Sequence, residues 1–161
     1  MSPVAEVVVL RRFASWRRAG SGVSLYRGGF AHQYGRMPIT KVQLFSIPVT
    51  DQDRARDFYV DTLGFELLSD TSMGPEMRWV MVRPPAADTA ITLVTWFGSM
   101  PAGSLKGLVL ETDDLDGDIE RLTGEGVEFA NGIEVAPWGR FAQFADPDGN
   151  GIVLQASAAG A

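Results

Sequence analysis

A single offset of 62 residues relates two halves of this chain, and it limits the fold more than any other feature. It carries Asp51 to Asp113, Gly64 to Gly126, Glu66 to Glu128, Arg78 to Arg140, Trp79 to Phe141 and Pro85 to Pro147. These matches fall at helix starts, turns and strand starts, where backbone geometry restricts the residue type. One supersecondary unit has been duplicated, in too few copies for a solenoid. Each unit's sheet needs a partner to cover it, so the two are expected to fold as one domain.

The unit itself can be read residue by residue. Residues 42–49 are apolar and β-compatible, and predict a strand. Thr50-Asp51-Gln52-Asp53 offers a cap and an acidic first turn, and Ala55, Phe58, Tyr59 and Leu63 then recur at helical spacing. Gly64 is placed to end that helix. Strands are predicted over 65–69, 78–83 and 91–96, with turns at 72–76 and at Pro84-Pro85. The second copy repeats the order. It has a strand over 107–112, a helix capped by Asp113-Asp114 with core face Leu115, Ile119 and Leu122, and Gly126 at its end. Strands over 127–130, 140–144 and 151–155 follow, the last two joined by the turn Asp146-Pro147-Asp148-Gly149. The class is α+β, built from tandem βαβββ modules over 41–98 and 106–156. The domain spans 39–157, with a short tail at 158–161.

Composition narrows the chemistry. No cysteine is present, which excludes disulfides, thiolate metal sites and a cysteine nucleophile. The single histidine is His32, outside both modules. No apolar run approaches the ~18 residues that a membrane-spanning helix needs. Residues 1–36 hold six arginines against one acid, which leaves eight basic and nineteen acidic side chains, a net of −11, for the rest. A body so acidic repels phosphate backbones, so no nucleic acid partner is expected. Residues 1–38 read as an N-terminal extension, either disordered or upstream of a natural start at Met37. An organelle transit segment is the third reading.

Asp51-Gln52-Asp53-Arg54-Ala55 leading to Phe58-Tyr59, then Thr62-Leu63-Gly64-Phe65-Glu66, and Asp146-Pro147-Asp148-Gly149-Asn150 in the second module carry a resemblance. Over residues 41–156 the chain resembles the vicinal oxygen chelate superfamily, which includes glyoxalase I, bleomycin-resistance proteins and extradiol dioxygenases. The resemblance implies a mixed curved sheet forming a cup with the helices outside, and a chain that pairs with a second copy. It does not select a reaction, since lyases, dioxygenases and drug binders share the fold.

Metal-using members take histidine and glutamate or glutamine ligands from the first and last strands of each module. Alignment on the aspartate and glycine landmarks puts Leu44, Thr92, Gly107 and Val153 at those positions. None but the threonine hydroxyl is a ligand, so no metal and no cofactor is expected. The same parity points Ser46, Val94, Trp96, Val109, Glu111 and Gln155 into the cup. Ser46, Trp79, Thr92, Trp96, Arg140, Phe141 and Gln155 are therefore the expected contacts for a small organic ligand, with Arg140 able to anchor an acidic group. Glu111 is the one ionisable residue of the cup, and is the candidate general base if the protein is an enzyme.

Three readings stay open. The protein binds or sequesters a drug or metabolite without a metal; or it is a metal-free isomerase or lyase that uses Glu111; or it is a metal-dependent lyase or dioxygenase. A cytoplasmic homodimer is expected, joined through Trp96, Phe97, Met100 and Trp138.

Overall fold

The structure, a computed structural model, describes residues 39–75 and 77–158. The extension expected over 1–38, and the tail beyond Ala158, lie outside the described residues. In module one, β1 (Leu44–Pro48) leads into α1 (Gln52–Asp57), which continues as a π-helix over Phe58–Thr62. β2 (Glu66–Gly74), β3 (Met77–Arg83) and β4 (Ala90–Val94) complete it. Module two runs β5 (Leu108–Glu111), α2 (Leu115–Gly124), β6 (Glu134–Ala136), β7 (Gly139–Ala145) and β8 (Gly151–Ser157). The sheets have the orders β1-β4-β3-β2 and β5-β8-β7-β6. In each, the first and last strands pair in parallel and the others antiparallel. The fold is the expected α+β tandem of βαβββ modules with mixed, curved sheets.

Helix boundaries follow from local chemistry. Asp51 is extended, and its carboxylate accepts from the backbone N–H of Asp53 and of Arg54, satisfying two free donors of the first turn. In module two the cap is Asp114, which accepts from Gly117 N–H, while Thr112 Oγ1 accepts from Asp114 N–H. The expected match of Asp51 with Asp113 is thus displaced by one residue. Both helices end at glycines with positive φ, Gly64 at 75° and Gly126 at 89°. The first helix therefore has one residue more between cap and glycine. The π-turn absorbs it, as one inserted residue in an α-helix does.

One hydrophobic core serves both modules. Ile47, Val80, Val82 and Leu93 meet Ala55 and Tyr59, and the same cluster continues through Phe65, Leu122, Phe144, Ile152 and Leu154. The Phe58 ring lies 6.5 Å from that of Phe144. A buried polar knot ties the modules: Asn150 Nδ2 donates to Pro48 O at 2.9 Å and to Asp146 Oδ2 at 2.8 Å, and Tyr59 Oη donates to Asp146 Oδ2 at 3.1 Å. Burial first, then the neighbouring carboxylate of Asp146, pushes the Tyr59 phenol far above its ordinary pKa.

Three expected strands shift. Residues 127–130 form only one bridge, Phe129 with Phe144, because Asn131-Gly132 turns the chain away; the edge strand of that sheet is Glu134–Ala136. β2 extends to Gly74, through part of the expected turn, held by pairing with β3. β4 ends at Val94, which leaves Trp96 beyond the sheet.

Candidate functional site

Strand register sorts the side chains onto two faces. In module one Ser46 pairs with Thr92 and Thr92 with Met81, so these three project from the face opposite the helix. Ser46 Oγ and Thr92 Oγ1 are hydrogen-bonded at 2.9 Å. Trp79, two residues before Met81, shares this face, and its ring stacks on Trp96 with centroids 6.3 Å apart and planes at 29°. Phe97 meets the Trp96 ring edge-on at 6.1 Å. Thr92 and Trp79 are buried, whereas Ser46 and Trp96 are half-buried. Trp96 is thus the accessible member, and Trp79 the surface that sets its plane. The indole N–H of Trp96 is buried with no acceptor among the described residues.

Gln52 holds this arrangement from below. Its Nε2 donates to Arg78 O at 2.8 Å and Leu93 O at 2.7 Å, joining the helix start to the strands that flank Trp79 and Val94. Sequence reasoning missed Gln52, which gave only a polar residue inside a first turn. The signal was its place on the core side of the helix, about one turn before Ala55 and two before Tyr59.

Module two presents the corresponding face. Glu111 pairs with Gln155, Gln155 with Phe141 and Val109 with Val153. Phe141 and Gln155 are half-buried, Val109 is 53% exposed, and Glu111 is exposed. Arg140 does not join them. Alternation sends it to the helix side, where its two terminal nitrogens donate to the Asp116 carboxylate at 2.7 and 2.9 Å. Arg140, expected to anchor a ligand beside Phe141, thus lies on the opposite face in an ion pair with α2. Arg78 does the same in module one, donating to Asp70 at 2.6 and 2.7 Å and to Asp53 at 2.9 Å. The structure thus places Ser46, Thr92 and Trp79 on one face of the first sheet, with Trp96 stacked on Trp79 from beyond its edge, and Phe141, Gln155 and Glu111 on one face of the other.

The residues at the positions where metal-using relatives carry ligands do not fit a metal. Leu44, Gly107 and Val153 have no donor atom in their side chains, and the Thr92 hydroxyl is engaged with Ser46 and, at 3.4 Å, with Phe45 O. Among the described residues no three histidine, cysteine, aspartate or glutamate side chains converge on one point. Among the described residues, the hydrogen bonds of the Ser46–Thr92 pair run to each other and to Phe45 O, with no base among them. What remains is the Trp79–Trp96 stack and the Ser46–Thr92 hydroxyls in module one, and the Gln155 amide beside Phe141 in module two.

Comparison with known proteins gives a consistent picture. The sequence model of the Glyoxalase/Bleomycin resistance protein/Dioxygenase superfamily matches residues 41–154. The crystal structure of TnmS3, an antibiotic binding protein from Streptomyces sp. CB03234, is 53% identical. It aligns with 76% of this chain and 100% of its own, at a TM-score of 0.72. A glyoxalase/bleomycin resistance protein from the same Streptomyces is also 53% identical, over 71% of this chain and 99% of its own, with a TM-score of 0.65. The uncharacterized protein YetH of Bacillus subtilis (strain 168) is 35% identical over 120 residues, 73% of this chain and 98% of that protein.

Proposed function

The chain belongs to the Glyoxalase/Bleomycin resistance protein/Dioxygenase superfamily, and from that premise we propose that it binds a planar aromatic antibiotic or a metabolite of that kind, without a metal and without turnover. One observation carries the reading. The half-buried Trp96, held in plane by the buried Trp79, offers a ring face, and Trp79 shares its sheet face with the Ser46–Thr92 hydroxyls. Aromatic stacking tolerates many substituents, so the exposed part of this ring suits a planar aromatic ligand. The 53% identity to an antibiotic binding protein supports the ligand class. The absence of donor side chains at Leu44, Gly107 and Val153 supports independence from metal, and no cofactor is invoked.

Phe141 and Gln155 complete the site from the face of module two. A homodimer supplies the natural way to enclose a ligand between such faces, and the exposure of Val109, Val135 (80%) and Trp138 (57%) supports association. Of the expected interface residues, Trp96, Phe97 and Met100 are half-buried within the chain, so Trp138 is the strongest candidate of the four. No described helix is long and apolar enough to cross a membrane. We place the protein's action in the cytoplasm, where an incoming drug would be sequestered.

The test is native mass spectrometry and tryptophan fluorescence with a panel of planar aromatic antibiotics. One compound should bind and be recovered unchanged, with affinity unaffected by a chelator and lowered at least about tenfold by Trp96→Ala, a loss of roughly 1.4 kcal/mol. Conversion of the compound, abolished by Glu111→Gln, would instead make the protein a metal-free enzyme. Conversion lost on chelation would make it a metal-dependent one.

A further inference from the structure

Glu111 stands apart from the aromatic cluster, on the edge strand of the other sheet. Along the free edge of β5 runs a cleft of about 460 Å³, closed on its far side by residues 84–87 of module one. Its floor is apolar and includes Leu63, Phe65, Leu122 and Phe144. The wall contains Pro84 and Pro85, whose rings restrict backbone motion. The size and the apolar floor are those of a small-molecule site.

The rim is acidic. Glu111 lines the cleft and is exposed, and its carboxylate has no hydrogen-bond or ion-pair partner among the described residues. Asp118 lines it too, accepting from Thr112 Oγ1 at 2.6 Å. Arg121 is the cation at the rim, and it is committed to Thr62 O at 2.8 Å, Asp118 Oδ1 at 3.2 Å and Glu125 Oε1 at 3.3 Å. Its charge is thereby offset, which leaves the cleft negative.

Backbone geometry adds acceptors beside Glu111. Thr112 N–H donates to Gln155 O at 2.9 Å, so Thr112 faces β8. In a parallel strand pair neighbouring residues alternate in direction, so Glu111 and Val109 turn both their carbonyls and their N–H groups to the free edge. The carboxylate is also peculiar to module two. The last rung of the parallel ladder is Glu111 with Gln155 here, and Pro48 with Val94 in module one.

We propose that this cleft between the modules is a second ligand site, which takes a small apolar molecule bearing a protonated amine. The hydrocarbon part covers the floor. The ammonium donates to the Glu111 carboxylate and to the carbonyls of the β5 edge. Carboxylate-bearing molecules are repelled. The cleft is separate from the Trp79–Trp96 stack, although Glu111 shares a sheet face with Gln155 and Phe141, and it gives Glu111 the role of an anion that selects charge.

Titrations of the full chain, followed by backbone amide NMR, test this with benzylammonium, benzyl alcohol and benzoate as probes. Benzylammonium should shift the amides of Glu111, Thr112, Ala86 and Ala87, and bind at least about tenfold more tightly than benzyl alcohol, as one charge-assisted hydrogen bond allows. Benzoate should not shift them. In Glu111→Gln, with the remaining spectrum unchanged, benzylammonium should fall to the affinity of the alcohol. Equal affinities for ammonium and alcohol in the unmodified protein overturn the proposal. So do shifts that map to Trp96 and Phe97 instead, no shifts in the millimolar range, or an unaltered affinity in Glu111→Gln. Antibiotic binding at Trp96 is tested separately, by tryptophan fluorescence with the antibiotic panel.

Discussion

At the scale of single residues, the two arginines related by the duplication have the same task. Arg78 and Arg140 each leave their strand on the helix side and pair with an aspartate in the first turn of the module's helix, Asp53 or Asp116. A carboxylate near a helix N-terminus is already favoured, and the guanidinium adds directed hydrogen bonds. The Arg78 hydrogen bond, partly opposed by burial, holds the Asp70 and Asp53 carboxyls below the ordinary range. Their folded pKa values are depressed, so the stability they contribute is complete above the unfolded value of about 3.9 and is lost as pH falls through the folded values. Arg78→Gln should therefore return the Asp70 carboxyl toward its ordinary pKa in a carbon-13 NMR titration. The stability gap between the two proteins, measured by urea unfolding, should be widest near neutral pH and close below about pH 4. A gap that widened on acidification would contradict this assignment. Asp53 is exposed, so added salt should shrink its share.

At the scale of elements, both helices rely on a glycine whose backbone an L-residue adopts only with strain. A Cβ at Gly64 or Gly126 would meet nothing within 4 Å, so the cost of alanine there is conformational alone. Gly64→Ala and Gly126→Ala should each lose about 1–2 kcal/mol in denaturant unfolding, and asparagine at either position should lose less. These glycines, the aspartate caps and the apolar spacing were legible in the sequence because each reflects a local rule. The π-turn was not, since one inserted residue barely disturbs helical periodicity and shows only when Asp114, rather than Asp113, is seen to cap. The strand expected at 127–130 failed for a related reason: alternation marks what can pair, and Asn131-Gly132 decided where pairing occurs. For the site, parity correctly grouped Ser46 with Thr92 and Phe141 with Gln155. The same parity, applied to Arg140 beside Phe141, would have sent it to the opposite face. Gln52 stayed hidden because its carbonyl partners are 26 and 41 residues away in sequence.

At the scale of the whole molecule, the two modules are joined by burial, and the joint has a polar centre that constrains how it comes apart. Asn150 is fully buried and uses both ends of its amide: Nδ2 donates to Pro48 O and Asp146 Oδ2, while Oδ1 accepts from Leu105 N–H at 3.1 Å. Pro48 ends the first strand of module one, and Asp146 opens the last turn of module two, so one side chain spans the duplication. Asp146 in turn accepts from Tyr59 Oη and from the backbone N–H of Asp148 and Asn150. Alanine at position 150 leaves a carbonyl, an N–H and part of a carboxylate without partners in a site closed to water. A buried orphan costs roughly 1–3 kcal/mol, so Asn150→Ala should lose about 2–4 kcal/mol even if some groups relax toward one another. Since Tyr59, Phe65, Leu122 and Phe144 lie in one cluster, neither module keeps its core when the other opens. Unfolding should therefore be a single transition in the unmodified protein, with tryptophan fluorescence, which within the two modules reports on Trp79, Trp96 and Trp138 and also carries a contribution from Trp16, coincident with far-ultraviolet circular dichroism. Asn150→Ala should move both curves to lower denaturant together. Two separated transitions, with the fluorescence and dichroism curves parting, would mean that each module holds a core of its own.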